Sequence, residues 1–302
     1  MDRLEYVNCI LCGGNDAEPA INATEAIGIV KCRNDGLLYM NPRPKVSGVR
    51  AFHMHFVRED NLELFNGYRR KILQREAEAI KKIKPAGNLL DFGCATGTFF
   101  ENFQRSSWRL YGVDSSFLGV EAARTRYKAE VFCGTLREAN YPNEFFDVVS
   151  ILDTLYYVPD PLAELTEAAR ILKNDGLLAV ELPGLTYSLL RERGPLCWLL
   201  DRKWVRGFGV ARLYYFSPST TRLLLQRTGF RVINMIPEQA SLGRQGISRL
   251  LNNFHFAVTR FLFTASRGRV SIAGKEFWLA SKADSLCSRP KEAAQCDSRD
   301  LC

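Results

Sequence analysis

The stretch Leu89-Leu90-Asp91-Phe92-Gly93-Cys94-Ala95-Thr96-Gly97 leads from an apolar run through an acid to two glycines four residues apart. Glycine lets the backbone turn sharply and approach a ligand closely, and a helix opening on such a turn offers free amides. An acid beside those amides repels phosphate and suits a cation. The next apolar run ends Tyr111-Gly112-Val113-Asp114, and an acid there can accept from both hydroxyls of a ribose. The pair therefore fits a nucleoside carrying positive charge, such as the ammonium and sulfonium of S-adenosyl-L-methionine. The alternative, a dinucleotide site, needs the three glycines of Gly-x-Gly-x-x-Gly around a pyrophosphate, and that spacing is absent.

A second constellation is Cys9-x-x-Cys12 followed by Cys32-x-x-Asp35. Thiolates two residues apart on a turn, matched by a second such pair, make a tetrahedral zinc site. Asp35 stands where the fourth thiolate belongs, and a carboxylate can ligate zinc as a harder donor. The alternative is a ribbon held by packing alone, with three reduced thiols.

These residues need elements to hold them. Apolar runs over 88–93, 109–114, 130–133, 146–152 and 177–182 predict short buried strands. Helical patterns over 98–104, 117–127 and 161–172 fall between them. That alternation predicts an α/β fold, a doubly wound, mostly parallel sheet covered by helices on both faces. Further on, 217–228 predicts a helix, and 230–236 and 275–281 predict strands. The organisation expected is a zinc-ribbon-like segment over 1–44, a helical arm over 45–87 and a core over 88–282. The core contains an insertion at about 183–216 and a late amphipathic helix at about 244–263. A polar, disordered tail is expected over 283–302. On the late helix, Ile247, Leu250, Leu251, Phe254, Val258, Phe261 and Leu262 fall on one face. Such a stripe is expected to pack into the core, and contact with a membrane surface is the second reading.

The chain has 302 residues and a net charge of +8, with 46% hydrophobic and 25% charged residues. This excludes a disordered chain, and no apolar run is long enough to span a bilayer. The first residues lack the apolar core of an export signal, and nine cysteines without a disulfide-scaffold density predict the reducing cytoplasm. The charge is local. From Asp201 to Val270 there are twelve Lys or Arg against Asp201 and Glu238. Such a region suits an anionic small molecule or a membrane surface.

With these motifs the chain resembles the class I S-adenosylmethionine-dependent methyltransferases. Glu144-Phe145-Phe146-Asp147-Val148-Val149 is similar to the family's fourth strand. Val158-Pro159-Asp160-Pro161, with Ala169 to Gly176, is similar to the next helix and turn. Leu213-Tyr214-Tyr215-Phe216-Ser217-Pro218 and Thr228-Gly229-Phe230 resemble the approach to its sixth strand. The resemblance implies seven strands in the order 3-2-1-4-5-7-6, with only the seventh antiparallel. It implies that the backbone of Gly93, Cys94, Ala95 and Gly97 packs on the methionine part, Asp91 faces its ammonium and Asp114 holds the ribose. Ser115 would lie beside the adenine, Thr135 and Leu136 would flank it, and Asp153 would border the acceptor. The N-terminal ribbon ending in Asn41-Pro42-Arg43-Pro44 resembles the group containing sugar C-methyltransferases. That implies a structural ribbon over the acceptor side and a sugar or sugar-nucleotide acceptor methylated at carbon or oxygen.

The acceptor half departs from the pattern. Tyr156-Tyr157 replaces a Glu-His pair common among relatives, and Arg212 stands where a histidine is frequent. A carbon or oxygen acceptor must lose a proton, so a base is needed. The candidates are Tyr157, Tyr156 and His55, while Arg212 and Tyr187 are candidates for binding an anionic acceptor. Two other functions compete. A nucleic-acid methyltransferase would use the basic region as a grip, but Leu152-Asp153-Thr154-Leu155-Tyr156-Tyr157 lacks the Asn/Asp-Pro-Pro-Tyr motif common among amino-methylating enzymes, and lysines do not alternate with aromatics. A non-catalytic module of the same fold is the other.

Overall fold

The computed structural model describes residues 4–22, 28–45, 59–104, 107–193, 212–239, 247–268 and 270–283. At the N-terminal end, β1 (Leu4–Glu5) pairs antiparallel with β5 (Arg43–Pro44). Between them β2 (Ala17–Asn22), β3 (Gly28–Cys32) and β4 (Leu38–Met40) form an antiparallel sheet. Its fourth strand, β11 (Tyr214–Tyr215), comes from the far half of the chain and pairs antiparallel with β4. The approach to the sixth strand thus has a pairing that its sequence did not announce.

The main sheet is built from β6 (Gly87–Phe92), β7 (Trp108–Asp114), β8 (Glu130–Cys133), β9 (Phe146–Leu152), β10 (Leu172–Pro183), β12 (Phe230–Glu238) and β13 (Lys275–Lys282). Their order is β12-β13-β10-β9-β6-β7-β8. Read from the other edge this is 3-2-1-4-5-7-6, the order the resemblance implied, and β13 runs antiparallel to both neighbours. Both faces of the sheet are buried, because neighbouring side chains along each strand point to opposite cores. Leu90, Val149, Leu178 and Val180 face one core with α3 (Pro161–Ile171) and α5 (Pro218–Arg227). Leu89, Val148, Leu177 and Ala179 face the other with α1 (Glu59–Ile83) and α2 (Phe117–Tyr127). The caps follow the sequence. Asp160 accepts from the Ala163 amide with Pro161 in the first turn, and Ser217 closes a capping box with Thr220.

Three expectations are corrected. The helix expected over 98–104 is a short 3-10 turn, Thr98–Asn102. Phe99, Phe100 and Phe103 are all buried, and three residues per turn brings positions 100 and 103 into line. Strand β10 starts at Leu172, directly out of α3, with a register shift before Leu177. The late helix, α6 (Ile247–Ala265), does not turn its whole stripe into the core. Val258 and Leu262 are half-buried, but Leu250, Phe254 and Phe261 are 69%, 71% and 71% exposed. The helix lies against β12 at the sheet edge, which covers one face only. The inserted segment contains α4 (Leu185–Arg193). Residues 194–211 and the tail beyond 283 lie outside the described residues, as does the start of the arm, 46–58.

Candidate active site

The parallel strands end along one edge, where the two predicted acids sit. Asp91 is 4% exposed, and its Oδ1 accepts from the Ser150 hydroxyl of β9 at 2.8 Å. Burial pushes its carboxyl up to about 7. Asp114 closes the loop from the neighbouring strand, with Oδ2 accepting from the Ala95 amide at 2.9 Å and Oδ1 from the Ser116 amide at 2.8 Å. Both oxygens keep lone pairs for further donors. Burial raises this carboxyl as well. The loop between them needs its glycines. Gly93 and Gly97 have φ of +82° and +75°, and the space a Cβ on Gly93 would take is filled by Thr154.

The other cofactor-side candidates are placed unequally. Ser115 is half-buried just after Asp114. The Thr135 amide donates to Glu138 and its hydroxyl accepts from the Glu138 amide, which fixes the turn after β8. Leu136 is fully buried in the core and offers no side-chain surface to a flat ring, so that expectation is corrected. Cys94 is buried beneath the loop against Gly112.

Asp153, at the end of β9 with φ of 56°, belongs to a buried ion cluster that sequence reasoning missed. Arg69 of α1 reaches Asp153 with one nitrogen and Glu181 of β10, at 2.9 Å, with another. Lys275, the first residue of β13, joins the same two acids, lying 2.5 Å from Asp153 Oδ2. Glu181 is fully buried. Burial alone would raise its carboxyl, but Arg69 and Lys275 outweigh it and hold it well below the usual range. Burial and the charge of Arg69 lower the Lys275 ammonium. Glu76 of α1 is 1% exposed, and burial together with Glu181 pushes its carboxyl well above the usual range. The one sequence signal was Glu181 itself, a lone acid in the apolar run Leu177–Leu182, which demands a partner.

Tyr156 connects this cluster to the acceptor side. Its hydroxyl donates to Asp153 Oδ1 at 3.0 Å, and the Arg212 guanidinium lies 5.3 Å from its ring centroid. The rings of Tyr156 and Tyr157 are 4.2 Å apart. Burial, then Tyr157, raises the Tyr156 phenol well above its ordinary value. Tyr156, Leu182, Pro183, Arg212, Tyr214 and Phe216 line a small cavity. Leu185 and Ser188 of α4 line it too, and on the same helix the Tyr187 ring lies 5.1 Å from His255 of α6. His55 lies outside the described residues.

The cysteines meet as the spacing predicted. Cys9-x-x-Cys12-Gly13 and Cys32-x-x-Asp35-Gly36 form two like turns, each followed by a glycine in the left-handed region. Cys12 and Cys32 Sγ are 3.5 Å apart, Cys9 Sγ is 3.1 Å from Asp35 Oδ2, and all four ligand atoms lie within 4.8 Å of one another. The Leu37 amide donates to Asp35 Oδ1 at 2.9 Å, which leaves Oδ2 facing the thiols. Ligand atoms in a thiolate tetrahedron of 2.3 Å bonds are about 3.8 Å apart, so the donor types fit zinc and the four atoms would draw slightly together around it. The sheet carrying these turns touches the acceptor side directly. Met40 donates to the Leu213 carbonyl and Leu213 donates to that of Tyr156, while Arg43 donates to the Tyr214 hydroxyl at 2.8 Å.

A family model described as a methyltransferase domain matches residues 63–234, more than half of the chain. The chain belongs to that methyltransferase-domain family. Its fold is that of the class I S-adenosylmethionine-dependent methyltransferases. A ubiquinone biosynthesis O-methyltransferase of Bradyrhizobium sp. (strain ORS 278) is 33% identical over 97 residues, 30% of this chain and 38% of that protein. A protein of Aspergillus luteorubrus named as a methyltransferase, ltbC, is 32% identical over 171 residues, 49% of this chain and 58% of its own length. This methyltransferase chain thus spans well under two thirds of the curated relatives it matches. Among solved structures, a SAM-dependent methyltransferase of Thermotoga maritima aligns with a TM-score of 0.53 at 21% identity, covering 78% of this chain and 99% of that one. One from Archaeoglobus fulgidus aligns at 0.50 and 18%, covering 74% and 99%. These two share the fold of the methyltransferase domain.

Proposed function

We propose that the chain methylates a small anionic acceptor on oxygen, using S-adenosyl-L-methionine. The observation that carries this reading is the pair of acids at adjacent strand ends, buried Asp91 and half-buried Asp114, joined through the glycine loop. The cofactor supplies a methyl group on a sulfonium. Asp91 holds its ammonium, Asp114 its ribose hydroxyls, and the backbone from Gly93 to Gly97 packs on the methionine part, with Ser115 and Thr135 beside the base. Asp153 bounds the acceptor side and keeps the Tyr156 ring in place, and Arg212 over that ring is set to pair with an acceptor anion. Tyr157 is the candidate in this wall for taking the acceptor's proton, with His55 the second. The names of the ubiquinone-biosynthesis relatives favour oxygen over carbon; sugar and sugar-nucleotide acids remain the acceptor class.

Transfer of a labelled methyl group is the test, run over nucleotide sugars, acidic phenols, lipids and RNA. Label is expected in a hydroxylated small anion. Label in RNA alone, or cofactor binding with no transfer to any acceptor, overturns the reading.

Cys9, Cys12, Cys32 and Asp35 are proposed to hold a structural zinc ion that fixes the two turns and, through Leu213, the Tyr156 wall. Elemental analysis of purified protein is expected to give about one zinc per chain. Cys32→Ser is expected to lose the metal and lower Tm. A zinc ratio near zero rejects the site.

A further inference from the structure

Helix α6 turns one side inward and presents an apolar line on the opposite side. Thr259 is fully buried, and with the half-buried His255 and Leu262 it faces inward. On the other side Leu250, Phe254, Ala257 and Phe261 are exposed, spaced so that they fall in one line along the helix. Single apolar side chains on a surface need no explanation, but a line of them over three turns forms a patch that marks an interaction site. Charge along this stretch of the sequence is one-sided. From Gln239 to Gly274 the sequence holds Arg244, Arg249, Arg260, Arg267 and Arg269 and no acid. Arg260 and Arg267 are exposed on and just beyond the helix.

A surface complementary to this face must be apolar and anionic together, which describes the interface of a bilayer carrying acidic headgroups. A second copy of the chain would set arginine against arginine. Nucleic acid would leave Leu250, Phe254 and Phe261 in water. No described helix is long and apolar enough to cross a membrane, so the contact is with the surface. The helix also stands at a telling place. It lies in the connection from Glu238 to Lys275, which pair with each other, and Lys275 pairs in turn with Pro183. That is the edge where the parallel strands end and where Asp91, Asp114 and Asp153 lie.

We propose that α6 docks the protein on an anionic lipid surface, with Leu250, Phe254 and Phe261 entering the interface and Arg260 and Arg267 reaching the headgroups. Docked this way, the edge bearing the strand ends lies beside the lipid.

Co-sedimentation of the full chain with vesicles tests this without cofactor, so it stands or falls apart from methyl transfer. The protein is expected to pellet with vesicles of phosphatidylcholine plus phosphatidylglycerol and to stay in the supernatant with phosphatidylcholine alone, the binding weakening as salt rises. Phe254→Asp with Phe261→Asp is expected to weaken binding by about tenfold or more, and Arg260→Gln with Arg267→Gln to reduce both binding and its salt dependence. Should the aspartate pair disturb folding, Phe254→Trp is expected to blue-shift in emission on adding the anionic vesicles. Wild-type protein that ignores anionic vesicles overturns the proposal, as does undiminished binding by the aspartate pair or an unshifted Phe254→Trp emission. So does light scattering that shows a dimer dissociated by the same substitutions, which would assign the face to a second copy.

Discussion

Glu181→Ala is expected to lose about 3–5 kcal/mol of unfolding free energy, seen as a lower urea midpoint at unchanged slope. Glu181 is fully buried and accepts from both Arg69 and Lys275. Without it, two buried cations lose the fully buried carboxylate that bridges them, and an undercompensated buried charge is what makes breaking such a cluster costly. The loss also has a pH signature. Because Arg69 and Lys275 outweigh burial, the folded-state pKa of Glu181 is depressed. Its contribution is therefore complete above the ordinary glutamate value of about 4.3 and is lost as pH falls toward the folded value. The gap between wild type and Glu181→Ala should be full at neutral pH and narrow in acid. A variant within about 1 kcal/mol of wild type at pH 7 would mean that the cluster holds nothing together.

The second large effect is on cofactor binding. Asp91→Ala is expected to weaken S-adenosyl-L-methionine by about 1–3 kcal/mol, the scale of a lost charge-assisted hydrogen bond, and Asp114→Ala by a similar amount. The two differ in pH dependence. Burial puts the Asp91 carboxyl at about 7, and only its ionised form pairs with an ammonium. Wild-type affinity should thus rise as pH increases toward 7, and at pH 6 be about tenfold below the plateau, with a proton released on binding. Asp91→Ala should lose that dependence. Stability without cofactor runs the opposite way. A carboxyl whose folded pKa is raised contributes fully below its unfolded value and loses that contribution as pH rises through about 7. Calorimetric titration in buffers of different ionisation heat reads the affinity and the proton together. Equal affinity for wild type and both variants would displace the site from this edge.

Much of this was legible in the sequence. Short-range patterns carry their own evidence: Asp91 to Gly97 as a strand running into a glycine turn, the alternation that predicted a mostly parallel sheet covered on both faces, and two like turns bringing Cys9, Cys12, Cys32 and Asp35 together, while the strand order came from the family resemblance. Long-range pairings do not. Glu181 announced that it needed a cation, but Arg69 sits on a helix far upstream and Lys275 at the start of the last strand, and ion pairs have no periodicity that would connect them. Leu136 was misassigned because a motif position fixes where the backbone runs and not which way the side chain turns. The stripe on α6 was visible as a pattern, but periodicity cannot distinguish a face that meets the sheet from one that meets solvent, and this helix has one of each.

The pairing of β4 with β11 bears on the order in which the protein assembles. The turns that gather the cysteines form from neighbours in sequence, yet the sheet beneath them takes its last strand from residues 214 and 215. Arg43 and Tyr214, which clasp it, are 171 positions apart. On a ribosome the amino-terminal segment therefore leaves the exit tunnel with β4 as an unfilled edge and keeps it until most of the central sheet has been made. Closing so long a loop carries an entropic cost that local contacts do not repay, and chains dominated by such contacts fold slowly. A segment made before the central sheet is thus completed after most of it, and a nascent chain stopped short of Tyr214 would carry the cysteine turns on an open strand edge.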